Sequence, residues 1–380
     1  MDKITALLLK NADVYAPEHL GYKDILVVGS KIVAVEEAQD VKLPNLTTLD
    51  LEGAIVGPGI VDHHNHFNGA GGEGGCNFRT PPAQLSTFIK AGITSTVGLL
   101  GTDGYGRSLV ELLQKAKALE IEGLSTWIYT GSYQIPGPTI TGTVGKDIML
   151  LDKVIGCKMA LSDHRSAHPN IDMIRALVSE VRVAGMLAGK RGVVCVHMGT
   201  ETDGLNLLRE AVKATQIPLT HFMPTHVSRS DALLTDAIAW VKEGGVADIT
   251  ANKNTPAAVD KFITGGANLE NLCFSSDGNG SMPKFNAAGE CIGVGVGDPS
   301  TILQAIKACA QAKIAELDKL FACASTNPAK WLFLPGKGKL EAGYDGDLMI
   351  LDKELNLTGL LAKGRIMLHA GKLLAKGTFE

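Results

Sequence analysis

Gly57-Pro58-Gly59-Ile60-Val61-Asp62-His63-His64-Asn65-His66 decides how this chain is read. An apolar run from Ala54 to Val61 leads into an aspartate and three histidines. Along an extended strand the side chains alternate, so His64 and His66 share one face and both imidazoles can reach one metal ion. His63 is expected on the opposite face, in a supporting or structural role. Pairing His63 with Asn65 instead gives a poorer donor set, because asparagine is a weak ligand for a soft divalent ion. Two histidines leave a metal short of ligands, so others are expected elsewhere in the chain.

Working outward, strand-length apolar runs recur through the middle of the chain. They are Ala54–Val61, Ser95–Leu100, Thr126–Thr130, Ile155–Ala160, Gly192–His197, Leu219–His226, Val246–Thr250 and Leu272–Asp277. Helical patterns lie between most of them, with apolar residues three and four apart in Ser108–Leu119 and Ile171–Leu187. Eight strands alternating with helices predict an α/β chain built as a (β/α)8 TIM barrel. A long loop after strand 3, holding Tyr133-Gln134-Ile135-Pro136-Gly137-Pro138, is expected to be functional.

Both ends of the chain read as short strands. Thr5–Leu9, Ile25–Val28 and Lys31–Val35 come before the opening stretch, with Gly29-Ser30 as a tight hairpin turn. Asp347–Leu351, Arg365–Leu368 and Leu373-Leu374 come at the other end, with a turn at Ala370-Gly371-Lys372. Isolated hairpins are marginal in water, so the two ends are expected to share one small β-sandwich domain. The expected division is residues 1–57 with 335–380 for that domain and 58–334 for the barrel.

Bulk properties narrow the function. The chain has 380 residues, 45% hydrophobic and 20% charged, with a formal net charge of -4. That balance suits a globular enzyme and gives no basic footprint for nucleic acid or an anionic membrane. No run approaches the ~20 apolar residues of a membrane span. The seven cysteines are scattered, with no Cys-x-x-Cys pair, which fits reduced thiols in a cytoplasmic protein. Cys195, within Val193-Val194-Cys195-Val196, is expected to fill a core position.

In a barrel of this kind the chemistry sits at the C-terminal strand ends. His64 and His66 end strand 1, Lys158 lies in strand 4, His197 ends strand 5, His226 ends strand 6 and Asp277 ends strand 8. Six such groups at one mouth exceed the four ligands of a single zinc site, so two metal ions are expected. Lys158 stands out. A protonated lysine only donates hydrogen bonds, and an apolar strand disfavours its charged form. Either it forms a distant salt bridge or its amine is chemically altered.

This pattern resembles the amidohydrolase superfamily of binuclear metal hydrolases, and within it the isoaspartyl (β-aspartyl) dipeptidase family. Further strings carry the likeness nearly end to end: Ser162-Asp163-His164-Arg165-Ser166, Pro224-Thr225-His226-Val227, Ser275-Ser276-Asp277-Gly278-Asn279-Gly280-Ser281 and Lys376-Gly377-Thr378-Phe379-Glu380. The resemblance implies that Lys158 is carboxylated by carbon dioxide and bridges two zinc ions. His64 and His66 would hold the first ion and His197 and His226 the second. Asp277 would bind the first ion and shuttle the proton of the attacking water. Glu73 would hold a substrate's α-amino group, with Thr102 and Ser281 as further polar contacts. Arg165 and Arg229 would bind carboxylates, which suits the planar guanidinium. Tyr133 would donate to the developing oxyanion. The activity implied is hydrolysis of β-aspartyl dipeptides to aspartate and an amino acid, in a homo-octamer. Two alternatives stay open: another amidohydrolase of the dihydroorotase, dihydropyrimidinase or deacylase type, and a non-catalytic scaffold barrel.

Overall fold

The two chain ends lie in one nine-stranded sheet. The computed structural model describes residues 6–288 and 290–380, so Thr5 of the first expected strand lies outside the described residues. Ala6–Tyr15, His19–Val28, Lys31–Glu36, Leu46–Asp50 and Ile55–Pro58 come from the front of the chain. Leu348–Leu351, Leu357–Ala362, Arg365–His369 and Lys372–Leu373 come from the back. Ile55–Pro58 joins the halves, antiparallel to Leu348–Leu351 and parallel to Asp13–Val14. Alternation explains the pairing: Leu7, Leu9, Val14, Ile25, Val27 and Val56 bury one core together with Leu340, Leu348, Ile350 and Leu361. Two-residue loops close the expected hairpins at Gly29-Ser30 and Ala370-Gly371. Gly29, Ala370 and Gly371 have φ of 59°, 47° and 72°, the left-handed values that match the twist of such turns.

The middle of the chain supplies eight strands, labelled here in order: β1 Ile60–Asn65, β2 Ile93–Gly98, β3 Ser125–Gly131, β4 Val154–Leu161, β5 Val193–Met198, β6 Phe222–Thr225, β7 Ala247–Thr250 and β8 Leu272–Ser275. β1 to β6 form one parallel sheet in sequence order, and β7 pairs in parallel with β8. Past β8, the His66 N–H donates to the Gly278 carbonyl at 2.9 Å, with a parallel bridge between Asn65 and Gly278. Between β6 and β7, the Val227 N–H donates to the Asp248 carbonyl at 3.2 Å. Helices cover the outer face. Leu109–Glu122 is capped by the Ser108 side chain and Ile171–Ala188 by that of Asn170, each accepting a first-turn N–H.

Three expectations change. The apolar run Ala54–Val61 is two strands in two sheets. Ile55–Pro58 belongs to the sheet of the chain ends, and the chain crosses to β1 at Gly59, where a Cβ would come within 2.3 Å of Thr94. Leu219–His221 is a 3-10 turn, so strand 6 begins at Phe222. The third change concerns His63. β1 advances three residues from Asp62 to Asn65 while β2 advances two, from Thr96 to Gly98. A bulge of this kind breaks the two-residue alternation. His63 and His64 then both reach partners on strands across the sheet: Asp248 of β7 for His63, Lys158 of β4 for His64.

The cluster beneath the strand ends contains Val61, Val97, Tyr129, Ile155, Cys195, Met223, Val246 and Cys273, closed below by Ala329, Leu332 and Leu334. Among the described residues, no helix is long and apolar enough to cross a membrane.

Candidate metal centre and substrate cavity

Each expected metal ligand lies within or just beyond the C-terminal half of its strand. Lys158 and His197 are inside β4 and β5, and His66 follows β1 directly. His226 and Asp277 lie one and two residues past β6 and β8, with φ of 65° and 52°. Non-glycine residues rarely hold such angles outside functional turns. Here the turns bring both side chains to the other ligands.

The donor atoms converge. Nitrogen or oxygen atoms of His64, His226 and Asp277 lie within 4.8 Å of one another, as a metal ion requires. The Asp277 Oδ1 is 3.1 Å from His66 Nε2 and 3.5 Å from His64 Nε2. The His226 ring centre is 4.9 Å from that of His64 and 4.6 Å from that of His197. Lys158 Nζ sits 3.5 Å from His64 Nε2 and 3.7 Å from Cys195 Sγ. Cys195 therefore does more than fill the core: it touches the lysine.

The chemistry of this set fits divalent metal. Burial, together with neighbouring positive groups, pushes the pKa values of His64, His197 and His226 well below the usual histidine value. They are neutral imidazoles, the form that binds metal. Thr250 Oγ1 fixes His226 Nδ1 at 2.5 Å, while buried His226 Nε2 has no hydrogen-bond partner among the described residues. Burial also lowers the pKa of Lys158, whose side chain is 1% exposed.

A cavity of about 390 Å³ opens above these groups. His66, His197, His226 and Asp277 line it, as do Thr102, Tyr133, Arg165, Arg229 and Ser281. Glu73 lies just behind this wall. Its Oε1 accepts from Thr102 Oγ1 and Ser281 Oγ, each at 3.1 Å, and from an Arg165 nitrogen at 3.2 Å. Its Oε2 is buried without a partner among the described residues. The glycines around Glu73 serve the loop's own fold: at Gly71, φ is 95° and a Cβ would fall 2.2 Å from the Phe78 carbonyl. Tyr133 Oη lies 2.7 Å from His197 Nδ1. Burial raises the tyrosine pKa, so it stays a proton donor. All twelve expected site residues are thus in one neighbourhood.

Two residues, Asp163 and Asp248, were not expected there. Asp163 accepts from Arg165 and lies 3.0 Å from His197 Nε2. The buried pair of Asp248 and His63 lies below the centre. An acid two residues before a strand-end arginine was the available sign for Asp163. Nothing in the local sequence marks Asp248.

The model of the amidohydrolase family matches residues 55–367. The chain belongs to the amidohydrolase family. It is similar to a β-aspartyl dipeptidase from Fervidobacterium islandicum AW-1, solved in complex with β-Asp-Leu dipeptide: 38% identity, 98% of each chain covered, TM-score 0.94. The fold is shared more distantly with a dihydropyrimidinase from Brevibacillus agri, at 15% identity, 98% and 97% coverage and a TM-score of 0.67. An adenine deaminase from Geobacillus kaustophilus is 21% identical over 372 residues, 92% of this chain. The chain spans about half of that relative's length, 55%.

Proposed function

We propose that this chain is a metal-dependent dipeptidase that hydrolyses β-aspartyl dipeptides to aspartate and a free amino acid. One observation carries the reading: histidines and an aspartate line one cavity with two arginines, with Lys158 beside His64 and a buried glutamate bonded to Arg165 behind the wall. Such a wall has a place for an ammonium and for carboxylates, the charges of a zwitterionic dipeptide. The similarity over nearly the whole length to a dipeptidase solved with β-Asp-Leu supports it.

His64, His66 and Asp277 would hold one zinc ion and His197 and His226 the other, and Lys158, once carboxylated, would add an oxygen donor. Its neutral amine adds to carbon dioxide and releases a proton, leaving a carbamate anion in place of an unpaired base. Two divalent ions bound there supply Lewis acidity, lowering the pKa of water from ~15.7 towards ~7 and polarising an amide carbonyl. Glu73, with Thr102 and Ser281, holds the α-ammonium of the substrate. Arg165 and Arg229 take the carboxylates, oriented by their planar donor forks. Tyr133 donates to the carbonyl oxygen as negative charge develops on it. Asp277 accepts a proton from the attacking water and returns it to the leaving amine.

The same reading completes the architecture. The eight strands close as a (β/α)8 barrel over residues 58–334, and residues 1–57 with 335–380 make the β-sandwich. Supporting this, hydrogen bonds lie at both seams of the parallel strands. The reading includes a cytoplasmic homo-octamer.

The test is turnover of β-Asp-Leu by protein loaded with zinc and bicarbonate, alongside dihydroorotate, dihydropyrimidine and N-acyl amino acids. Release of aspartate and leucine is expected. No β-Asp-Leu turnover by metal-loaded protein, or faster turnover of a cyclic amide or N-acyl amino acid, overturns the proposal.

A further inference from the structure

We propose that Asp163 is a positioning residue, one buried carboxylate that orients both the substrate-facing arginines and the His197 ring. The inference rests on the dipeptidase reading for its substrate, and on geometry alone for its contacts.

The fold places Asp163 deliberately. β4 ends at Leu161, and Ser162 turns the chain with φ 54°. The Ser162 carbonyl accepts the Glu201 N–H at 3.0 Å. Gly199, just past β5, makes room: a Cβ there would lie 1.9 Å from the Ser162 carbonyl oxygen and 2.5 Å from the Asp163 Cα. The result is a carboxylate side chain only 6% exposed, pressed against the next strand's exit.

Every oxygen of that carboxylate is used. Oδ1 accepts the Arg165 backbone N–H and Nε, both at 2.9 Å. Oδ2 accepts Arg165 Nη2 at 2.9 Å and lies 3.0 Å from His197 Nε2. Arg229 Nη1 lies 3.7 Å from the same oxygen and 3.0 Å from His197 Nε2.

Two consequences follow from the contacts. Arg165 is gripped along its Nε–Nη2 edge, which leaves Nη1 toward Glu73 and Thr102. That is the edge a zwitterionic substrate meets. Asp163 Oδ2 and Arg229 Nη1 each lie 3.0 Å from His197 Nε2, which leaves Nδ1 turned toward Tyr133 Oη at 2.7 Å. Carboxylates commonly fix a ligating histidine in this way, and their loss typically costs about 10–100-fold in metal affinity or activity.

The test compares Asp163→Asn, Arg165→Met and the double variant, loaded with zinc and bicarbonate. β-Asp-Leu kinetics are read beside the rate of zinc release to a chelator. Asp163→Asn is expected to raise KM about tenfold or more, the size of one charge-assisted hydrogen bond. Zinc release should quicken about 10–100-fold. Because Asp163 acts through Arg165, the double variant should raise KM little beyond the worse single variant. KM and zinc release both within twofold of the parent overturn the inference, as do fully additive KM effects. Should the asparagine chain not fold, Asp163→Ser answers the same question. If the parent protein turns over no β-Asp-Leu, the dipeptidase reading falls, while the zinc-release arm still decides the Asp163–His197 contact.

Discussion

Lys158 Nζ lies 3.5 Å from His64 Nε2, and no carboxylate among the described residues forms an ion pair with it. A buried base beside an imidazole, with burial lowering its pKa, is poorly matched as an ordinary lysine. Replacement by methionine should therefore stabilise metal-free protein by about 1–3 kcal/mol, the cost of burying a polar group without a full set of partners. The same change should abolish turnover. Lys158→Ala should recover some activity with small carboxylic acids, which restore the missing oxygen donor. Urea denaturation of chelated protein and the β-Asp-Leu assay check both halves. Destabilisation by methionine with activity retained would contradict them.

His64, His197 and His226 give a pH dependence with a definite sign. Their pKa values in the folded chain are lowered, chiefly by burial, from the ordinary 6.5. Below pH 6.5 the unfolded chain takes up protons that these buried rings refuse, so stability falls as pH falls. At full effect each ring contributes about 1.4 kcal/mol per pH unit, or roughly 4 kcal/mol per unit for three. Metal-free protein should show this loss between pH 6.5 and 5. From about one pH unit above 6.5 the three rings are neutral in both states and their contribution is flat. Denaturation midpoints across that range, with His226→Gln for comparison, measure it. The variant should have the shallower slope.

Much of this was legible in the sequence, for physical reasons that also explain what was not. Parallel strands buried on both faces read as continuous apolar runs, so Ile155–Ala160 and Val246–Thr250 were visible without partners. The metal ligands were visible because polar residues are costly at the ends of such runs. Apolarity alone could not show that the run at Ala54–Val61 changes sheets at Gly59, since both sheets bury it. Period-two reasoning put His63 on the wrong side because a bulge adds one residue to β1. The contact of Asp163 with His197 and those of Asp248 join residues at least 34 and 23 positions apart, and no local pattern encodes those contacts.

Asp248 ties together strands that carry three of the ligands. Its Oδ2 accepts from Thr225 Oγ1 and Ser275 Oγ, both at 2.6 Å, and Oδ1 lies 3.2 Å from His63 Nε2. Thr225 adjoins His226, Ser275 precedes Asp277 by two residues, and His63 adjoins His64. Asp248→Ala leaves three buried polar groups without this partner and should destabilise the chain by about 3 kcal/mol or more. His63→Leu alone should cost less, because Thr225 and Ser275 still satisfy one carboxylate oxygen. A double-mutant cycle between His63 and Asp248 should give a coupling above about 0.5 kcal/mol. Additive effects in thermal or urea unfolding would show the contact to be idle.

Tyr133 separates binding from chemistry. Its ring is buried, its Oη is 2.7 Å from His197 Nδ1, and the Arg165 guanidinium lies 5.4 Å from its ring centre. The Tyr133 carbonyl accepts the Ala160 N–H at 3.1 Å, tying its loop to β4 beside Lys158. Phenylalanine preserves the packing and that backbone bond, and removes only the hydroxyl. A donor aimed at charge that develops in the transition state mainly affects kcat, and losing one costs about 10²–10³-fold. Tyr133→Phe should therefore lower kcat on β-Asp-Leu by that factor, leave KM within a few-fold, and retain zinc like the parent. Arg229→Met should do the reverse and act mainly on KM, because its cation binds a carboxylate present in substrate and transition state alike. A Tyr133→Phe protein that loses affinity while keeping kcat would assign the hydroxyl to substrate binding and leave the oxyanion without a tyrosine donor.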